Sequence, residues 1–257
     1  MDLDLKETLD LATAWALKAG EIHLSYFRKR DLDIHTKSTV YDVVTRADKE
    51  AEAFLISAIQ ARFPQHAVLG EETGEHAGAS GWRWVIDPLD GTNNFSQGLP
   101  IFTVSIGLQY QGETVLGVVY APCLREMYTA LKGEGAFLNG QPVHVGNKSD
   151  LEHAVLGTGF PYDKGSNPDN NIANLATILP HLRGIRRMGT AAYDLCCTAA
   201  GWLDGYWELA LNLWDVCAGV LIVEEAGGIV VPFRNDRGIS IVAGNRTMVD
   251  LIRERIN

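Results

Sequence analysis

The sequence predicts a mixed α/β sandwich, with helices and sheets in layers. Apolar side chains recur at helical spacing near the start, at Leu5, Leu9, Ala12, Ala16, Ala19 and Ile22. Short apolar runs, separated by a few turn residues, crowd the middle of the chain. Strand-like and helix-like segments then alternate toward the end, and such alternation implies layers.

Taken in order, the first helix covers Leu5 to Tyr26. Thr45-Arg46-Ala47-Asp48 opens a second, with Ala51, Phe54, Leu55, Ala58 and Ile59 on one face and Pro64 beyond its end. "HAVLG" reads as a strand ending at Gly70, and "WRWVID" as one ending at Asp87. "FTVSIGLQY", "TVLGVVYAP" and "EMYTALK" follow so closely that they predict an antiparallel meander. "GEGAFLNG" is a glycine-punctuated loop or hairpin. In the second half, "HAVLGTGF" is a strand and Asn170–Leu182 a helix. "TAAYDLCCTAAGWL" is a helix opened by Thr190, "GYWELAL" a strand, and "WDVCAGVLIVEEAGG" a helix stopped by Gly227. "GGIVV" and "ISIVAG" are strands, and Arg246–Ile256 closes as a helix. A length of 257 residues suits one domain over 1–257, in two packed halves of about 1–145 and 146–257.

The bulk properties exclude several classes. The formal charge of −10 gives no long-range attraction to nucleic acid or anionic lipid. The acidic start "MDLDLKETLD" lacks the basic and apolar regions of a signal peptide, and no apolar run approaches the ~18–20 residues that cross a bilayer. The expected address is the cytoplasm. Four cysteines without a C-x-x-C spacing make neither a disulfide scaffold nor a structural zinc site. The seven histidines are scattered and are expected at the surface or in packing.

The chemistry concentrates at Val85–Phe95, "VIDPLDGTNNF". In an extended strand, Asp87 and Asp90 would point to opposite faces about 10 Å apart. Pro88 changes this. Asp followed by Pro suits a type I turn, which would bring both carboxylates to one side with the Leu89 carbonyl nearby, while Gly91 lets the backbone approach closely. Two ionised carboxylates so placed repel unless a cation compensates them, and all-oxygen donors suit Mg²⁺ first, then Mn²⁺ or Ca²⁺. Taken alone, D-P-x-D equally fits a surface turn. Glu71 and Glu72 in "LGEETG" fit a solvated strand end, Asp215 in "LWDVCAGV" an acid in a helix's first turn, and Thr45-x-x-Asp48 a capping box.

Together, in this order, these segments resemble the inositol monophosphatase family. The resemblance rests on "GEE" at Gly70–Glu72, "WVIDPLDGTNNF" at Trp84–Phe95, "RRMGTAAYDL" at Arg186–Leu195 and "WDVCAGVLIVEEAGG" at Trp214–Gly228, with "GVVYAP" and "KGEGAFLNG" also similar. It implies a layered α-β-α-β-α sandwich, usually dimeric, with a Mg²⁺-dependent phosphatase site. By position, Glu71, Asp87 and the Leu89 carbonyl would hold one ion, and Asp87, Asp90 and Asp215 a second. A third, weaker ion would sit at Glu71, and Mn²⁺ is a possible substitute. Thr92 matches the threonine that, with Glu71, orients the attacking water, and Asp48 the acid that hydrogen-bonds this threonine. The amides of Gly91 and Thr92 would meet the phosphate, and Glu208 and Ala191 would contact the substrate ring. The resemblance also predicts inhibition by Li⁺.

Phosphate monoester hydrolysis is among the slowest uncatalysed reactions, and enzymes accelerate such reactions up to ~10²¹-fold. Cations that neutralise an anionic ester in an acidic site remove the need for a Ser, Cys or His nucleophile, so direct in-line attack by water is expected. Relatives sharing the fold act on fructose 1,6-bisphosphate, 3′-phosphoadenosine 5′-phosphate or histidinol phosphate. "DGTNNF" looks like the inositol phosphatase branch, and the carboxylate of Glu208 suits a polyol. Two alternatives stay open: a broader sugar-phosphate, fructose-1,6-bisphosphate or histidinol-phosphate phosphatase, and a metal-binding regulatory or interaction factor with residual activity. "GTGFPYDKGSNPDNN" departs most from the animal enzymes and looks closer to bacterial members.

Overall fold

The computed structural model describes residues 3–29, 32–36 and 43–257. In chain order the elements are α1 (Leu5–Tyr26), β1 (His35–Thr36), β2 (Val43–Val44), α2 (Arg46–Arg62), β3 (Ala67–Gly70), β4 (Gly74–His76), β5 (Trp82–Asp90) and α3 (Thr92–Ser96). Next come β6 (Thr103–Tyr110), β7 (Glu113–Ala121), β8 (Glu126–Leu131), β9 (Gly135–Leu138), β10 (Gln141–Pro142), β11 (Val155–Thr158) and α4 (Ile172–Ile178). The chain ends with β12 (Gly184–Arg186), α5 (Ala191–Ala199), β13 (Gly205–Leu211), α6 (Leu213–Glu225), β14 (Ile229–Arg234), β15 (Ile239–Gly244) and α7 (Arg246–Arg253).

Two large sheets carry the layers. One has the order β10-β9-β8-β7-β6-β5-β3-β4; its run from β5 to β8 is the expected antiparallel meander, and β9 and β10 extend it as a hairpin. The other has the order β12-β11-β13-β15-β14. The apolar stripe of α1, with Ala12, Ala16 and Ala19 fully buried, packs with α2 on the outer face of the first sheet. Trp15 meets the buried Trp84 of β5 edge-on, with ring centroids 5.5 Å apart. Helices α5 and α6 fill the space between the sheets. On the far face of the second sheet, Met248, Val249 and Ile252 of α7 and Ile178 of α4 cover Leu156, Trp207 and Val242. The layering is therefore α-β-α-β-α.

Helix α6 lies close against the first sheet because β6 and β7 present Gly107 and Gly117 to it. A Cβ at Gly117 would sit 2.8 Å from the Ala218 carbonyl oxygen and 3.2 Å from its Cα. Those are backbone atoms, so the helix itself would have to retreat. Gly117→Ala is expected to lower stability by about 1–3 kcal/mol in urea unfolding, the usual cost of overpacking. It should lower activity as well, because α6 carries Asp215.

Four elements differ from expectation. α5 ends at Ala199, short of Leu203. β5 does not end at Asp87 in a separate type I turn. It continues through Pro88 to Asp90, and its register against β6 shifts between Asp87 and Asp90. That bulge leaves Pro88 out of the regular ladder, where its missing N–H costs nothing. α4 stops at Ile178 and continues only as a short 3₁₀ turn over Leu179–His181 containing Pro180. α7 ends at Arg253 rather than Ile256. His23 is a packing residue. It is fully buried edge-on to Phe95 and Phe102, and burial pushes its imidazole pKa down to about 3. The Pro88 backbone lies beside the ring without reaching hydrogen-bond geometry.

Candidate active site

An open cleft of about 100 Å³ lies where the end of β5, the start of α3, α5 and α6, and the loop after β11 meet. Its lining includes Glu71, Asp87, Leu89, Asp90, Gly91, Thr92, Ala191, Glu208 and Asp215. These are the residues that the sequence singles out, except Asp48, which stands one layer behind.

Local structure explains each placement. Glu71 begins the turn between β3 and β4, whose ends pair as Gly70 with Gly74. The bulge in β5 brings Asp87 and Asp90 to the same cleft, and the amide of Leu89 donates to Asp87 Oδ1 at 2.9 Å. Gly91 then takes φ +98°, a left-handed conformation that glycine adopts at little cost, and opens α3. Asp215 lies in the first turn of α6, where its carboxylate accepts from the Asn212 amide at 2.6 Å in a capping box.

Asp48 serves two neighbours. Its Oδ2 accepts from the Thr45 amide and hydroxyl, completing the expected capping box. Its Oδ1 accepts from the Thr92 hydroxyl at 2.9 Å, and that proton is shared with the Leu89 carbonyl at 3.0 Å.

Electrostatics dominate the cleft. Burial, then the charges of Glu71, Asp90 and Asp215, raise the Asp87 pKa well above the usual carboxylate range. Burial raises Asp90 to about 7, against opposing hydrogen bonds from Thr190 and Ala192. Asp215 is raised by burial and by Asp90, and Asp48 by burial, to about 6. Glu208 rises to about 7 through burial, although the Tyr206 hydroxyl and Arg187 favour its charge. Among the described residues no three His, Cys, Asp or Glu side chains are placed so that, as they stand, they could hold a metal ion. The three aspartates instead each turn one oxygen onto an amide or hydroxyl. The donor chemistry still fits a hard cation: carboxylates and a backbone carbonyl, with neither thiol nor imidazole lining the cleft.

Some participants carry no role in the sequence motifs. Thr190 opens α5, as expected, within the Arg186–Leu195 motif. Its hydroxyl also donates to Asp90 Oδ2 at 2.5 Å, beside the Ala192 amide at 2.8 Å, and so fixes that carboxylate. Arg187, within the same motif, stands at the rim of the cleft without a role that the sequence assigns. The rim itself, Gly159 to Tyr162, is held from outside the cleft. Asn171 donates to the Gly159 carbonyl at 2.7 Å and accepts from the Trp207 indole at 2.8 Å. Further along this loop, Arg237 pairs with Asp163, and Arg234 with Asp169 at 2.5 Å.

The model of the inositol monophosphatase family matches residues 4–253. The chain belongs to that family. Within it, the chain is 45% identical over 227 residues to a Nus factor SuhB of Pasteurella multocida, covering 88% of this chain and 85% of that protein. It is 43% identical over 228 residues to an inositol-1-monophosphatase of Synechocystis, covering 88% and 79%. The solved inositol monophosphatase from Anabaena superposes with a TM-score of 0.87 at 37% identity, covering 98% of this chain and 96% of that one. The family's phosphatase fold is thus the fold of this chain. No helix of the described residues is long and apolar enough to cross a membrane.

Proposed function

We propose that the chain is a Mg²⁺-dependent phosphomonoesterase that hydrolyses a myo-inositol monophosphate to inositol and phosphate by direct in-line attack of water. The observation that carries this reading is the convergence of Glu71, Asp87, Asp90 and Asp215 in one cleft, beside a Thr92 hydroxyl bonded to a buried Asp48. Glu71, Asp87, the Leu89 carbonyl, Asp90 and Asp215 would hold the magnesium ions, which when bound supply Lewis acidity and neutralise the ester's charge.

The chain's own groups do the rest. The Thr92 proton is committed to Asp48 and the Leu89 carbonyl, so the hydroxyl offers only lone pairs to the cleft. It accepts a hydrogen bond from the attacking water, Glu71 takes a proton from that water, and the two together aim it. The amides of Gly91 and Thr92 meet the phosphate oxygens. Tyr206 donates to Glu208 Oε2, which leaves Oε1 to accept from a polyol hydroxyl, near the backbone of Ala191.

The test is phosphate release from myo-inositol 1-phosphate, fructose 1,6-bisphosphate and histidinol phosphate, with Mg²⁺ and with chelator. Release is expected only with Mg²⁺, at the highest kcat/KM for the inositol ester, and with inhibition by Li⁺. A higher kcat/KM for another ester would move the reading to a broader sugar-phosphate or histidinol-phosphate phosphatase. The name of the Pasteurella relative favours one second reading, an interaction factor that keeps the cleft. Mg²⁺ binding with no release from any ester would favour that one.

A further inference from the structure

Helix α2 carries a second buried carboxylate, Glu52, one turn beyond Asp48 and therefore on the same face. Glu52 is 1% exposed, buried as deeply as the residues around it that are apolar. Its Oε2 accepts the Glu72 amide at 2.9 Å and its Oε1 accepts the Thr73 amide at 2.8 Å. On the other side of Glu71, Gly70 lies flat against the same group. A Cβ there would fall 2.7 Å from Glu52 Oε2. The turn that begins with Glu71 is thus gripped on both flanks by a single side chain.

We propose that Glu52 is a positioning residue that fixes Glu71 relative to Thr92; this rests on the reading that those two residues aim the attacking water. Asp48 holds the Thr92 hydroxyl and Glu52 holds the Glu71 turn, from consecutive turns of one helix. Because an α-helix is stiff over one turn, the spacing between the two water-orienting groups is set by α2 and not by the turn and the short helix that bear them. A carboxylate is required because two backbone N–H groups converge on it. A glutamine in its place would turn an NH₂ donor toward one of them.

The test compares the wild type with the nearly isosteric Glu52→Gln and with Gly70→Ala, which displaces the same carboxylate from the other side. Hydrogen exchange of the metal-free protein is read at the Glu72 and Thr73 amides, which should exchange at least ~10-fold faster in both variants. Kinetics are read as a kcat-against-KM split. kcat should fall about 10–100-fold and the half-saturating Mg²⁺ concentration should rise, as when an outer partner of a ligand is removed. KM for the ester should stay within about 3-fold, since Glu208 and Ala191 are untouched. Unchanged exchange at the two amides overturns the inference, as does faster exchange with kcat and Mg²⁺ dependence unaltered. Should the wild type release no phosphate, the functional reading fails by itself. Exchange and Mg²⁺ affinity measured by calorimetry then decide whether Glu52 sets Glu71, and unchanged values in both overturn it.

Discussion

Asp90→Asn is expected to reduce phosphate release by on the order of 10³-fold, the equivalent of about 4 kcal/mol of lost charge stabilisation. The substitution keeps an oxygen that can accept from the Thr190 hydroxyl and the Ala192 amide, so the local geometry survives. What disappears is the negative charge between Asp87 and Asp215. The same change should leave the thermal midpoint of the metal-free protein level or raise it, because Asp90 is one of the charges that repel Asp87 and Asp215. Loss of activity without loss of stability separates a functional carboxylate from a structural one. Steady-state kinetics beside thermal unfolding in chelator measures both. Retention of full activity by the variant would remove Asp90 from the reaction.

Magnesium should raise the thermal midpoint, and more at pH 8 than at pH 6. In the metal-free protein, burial lifts Asp90 from 3.8 to about 7, and Asp87 and Asp215 move in the same direction. A group whose folded pKa lies above its unfolded value contributes stability that is complete below about pH 4, and that is lost as pH rises through about 7. The metal-free protein therefore weakens across that window as the carboxylates ionise against one another. On the proposed reading Mg²⁺ would bind the ionised forms and compete with protons below pH 7. At a hundredfold excess over its dissociation constant it contributes about 2.7 kcal/mol, roughly 5–10 °C for a chain of this size. Thermal scans at the two pH values, with Mg²⁺ or chelator, read this directly. An increment equal at both would mean that the cation does not compete with protons at these groups.

Much of the fold was legible where local signals were strong. The apolar period of α1 placed both of its ends at Leu5 and Tyr26, and Thr45 and Thr190 marked the helix starts. Closely spaced apolar runs gave the antiparallel strands from β5 to β8. What stayed hidden is non-local or interrupted. β4 is Gly-Glu-His, with no apolar signal, and exists because β3 pairs with it. The parallel pairing of β3 with β5 is not written in either segment. The helix expected through Leu182 overran Pro180, whose ring and missing N–H do not continue an α-helix. For the site, the acidic motifs and the family resemblance named the cleft's carboxylates. They could not reveal the bond from Thr190 to Asp90, made across a separation of 100 residues, or that Glu52 is more than one acid among several on an amphipathic helix.

The loop that rims the cleft draws its anchorage from Arg234, Arg237 and Trp207, none of which lines the cleft. The scaffolding of that border is thus separate from the acidic cluster. If the cleft works as proposed, changes along Phe160–Asn170 would re-tailor which alcohol is admitted, or expose a new adhesive edge, and leave the groups around the phosphate in place, whereas a side chain at Gly159 would strike the Glu208 carboxylate. Divergence in this lineage should accordingly accumulate first at the doorway and last at the hearth.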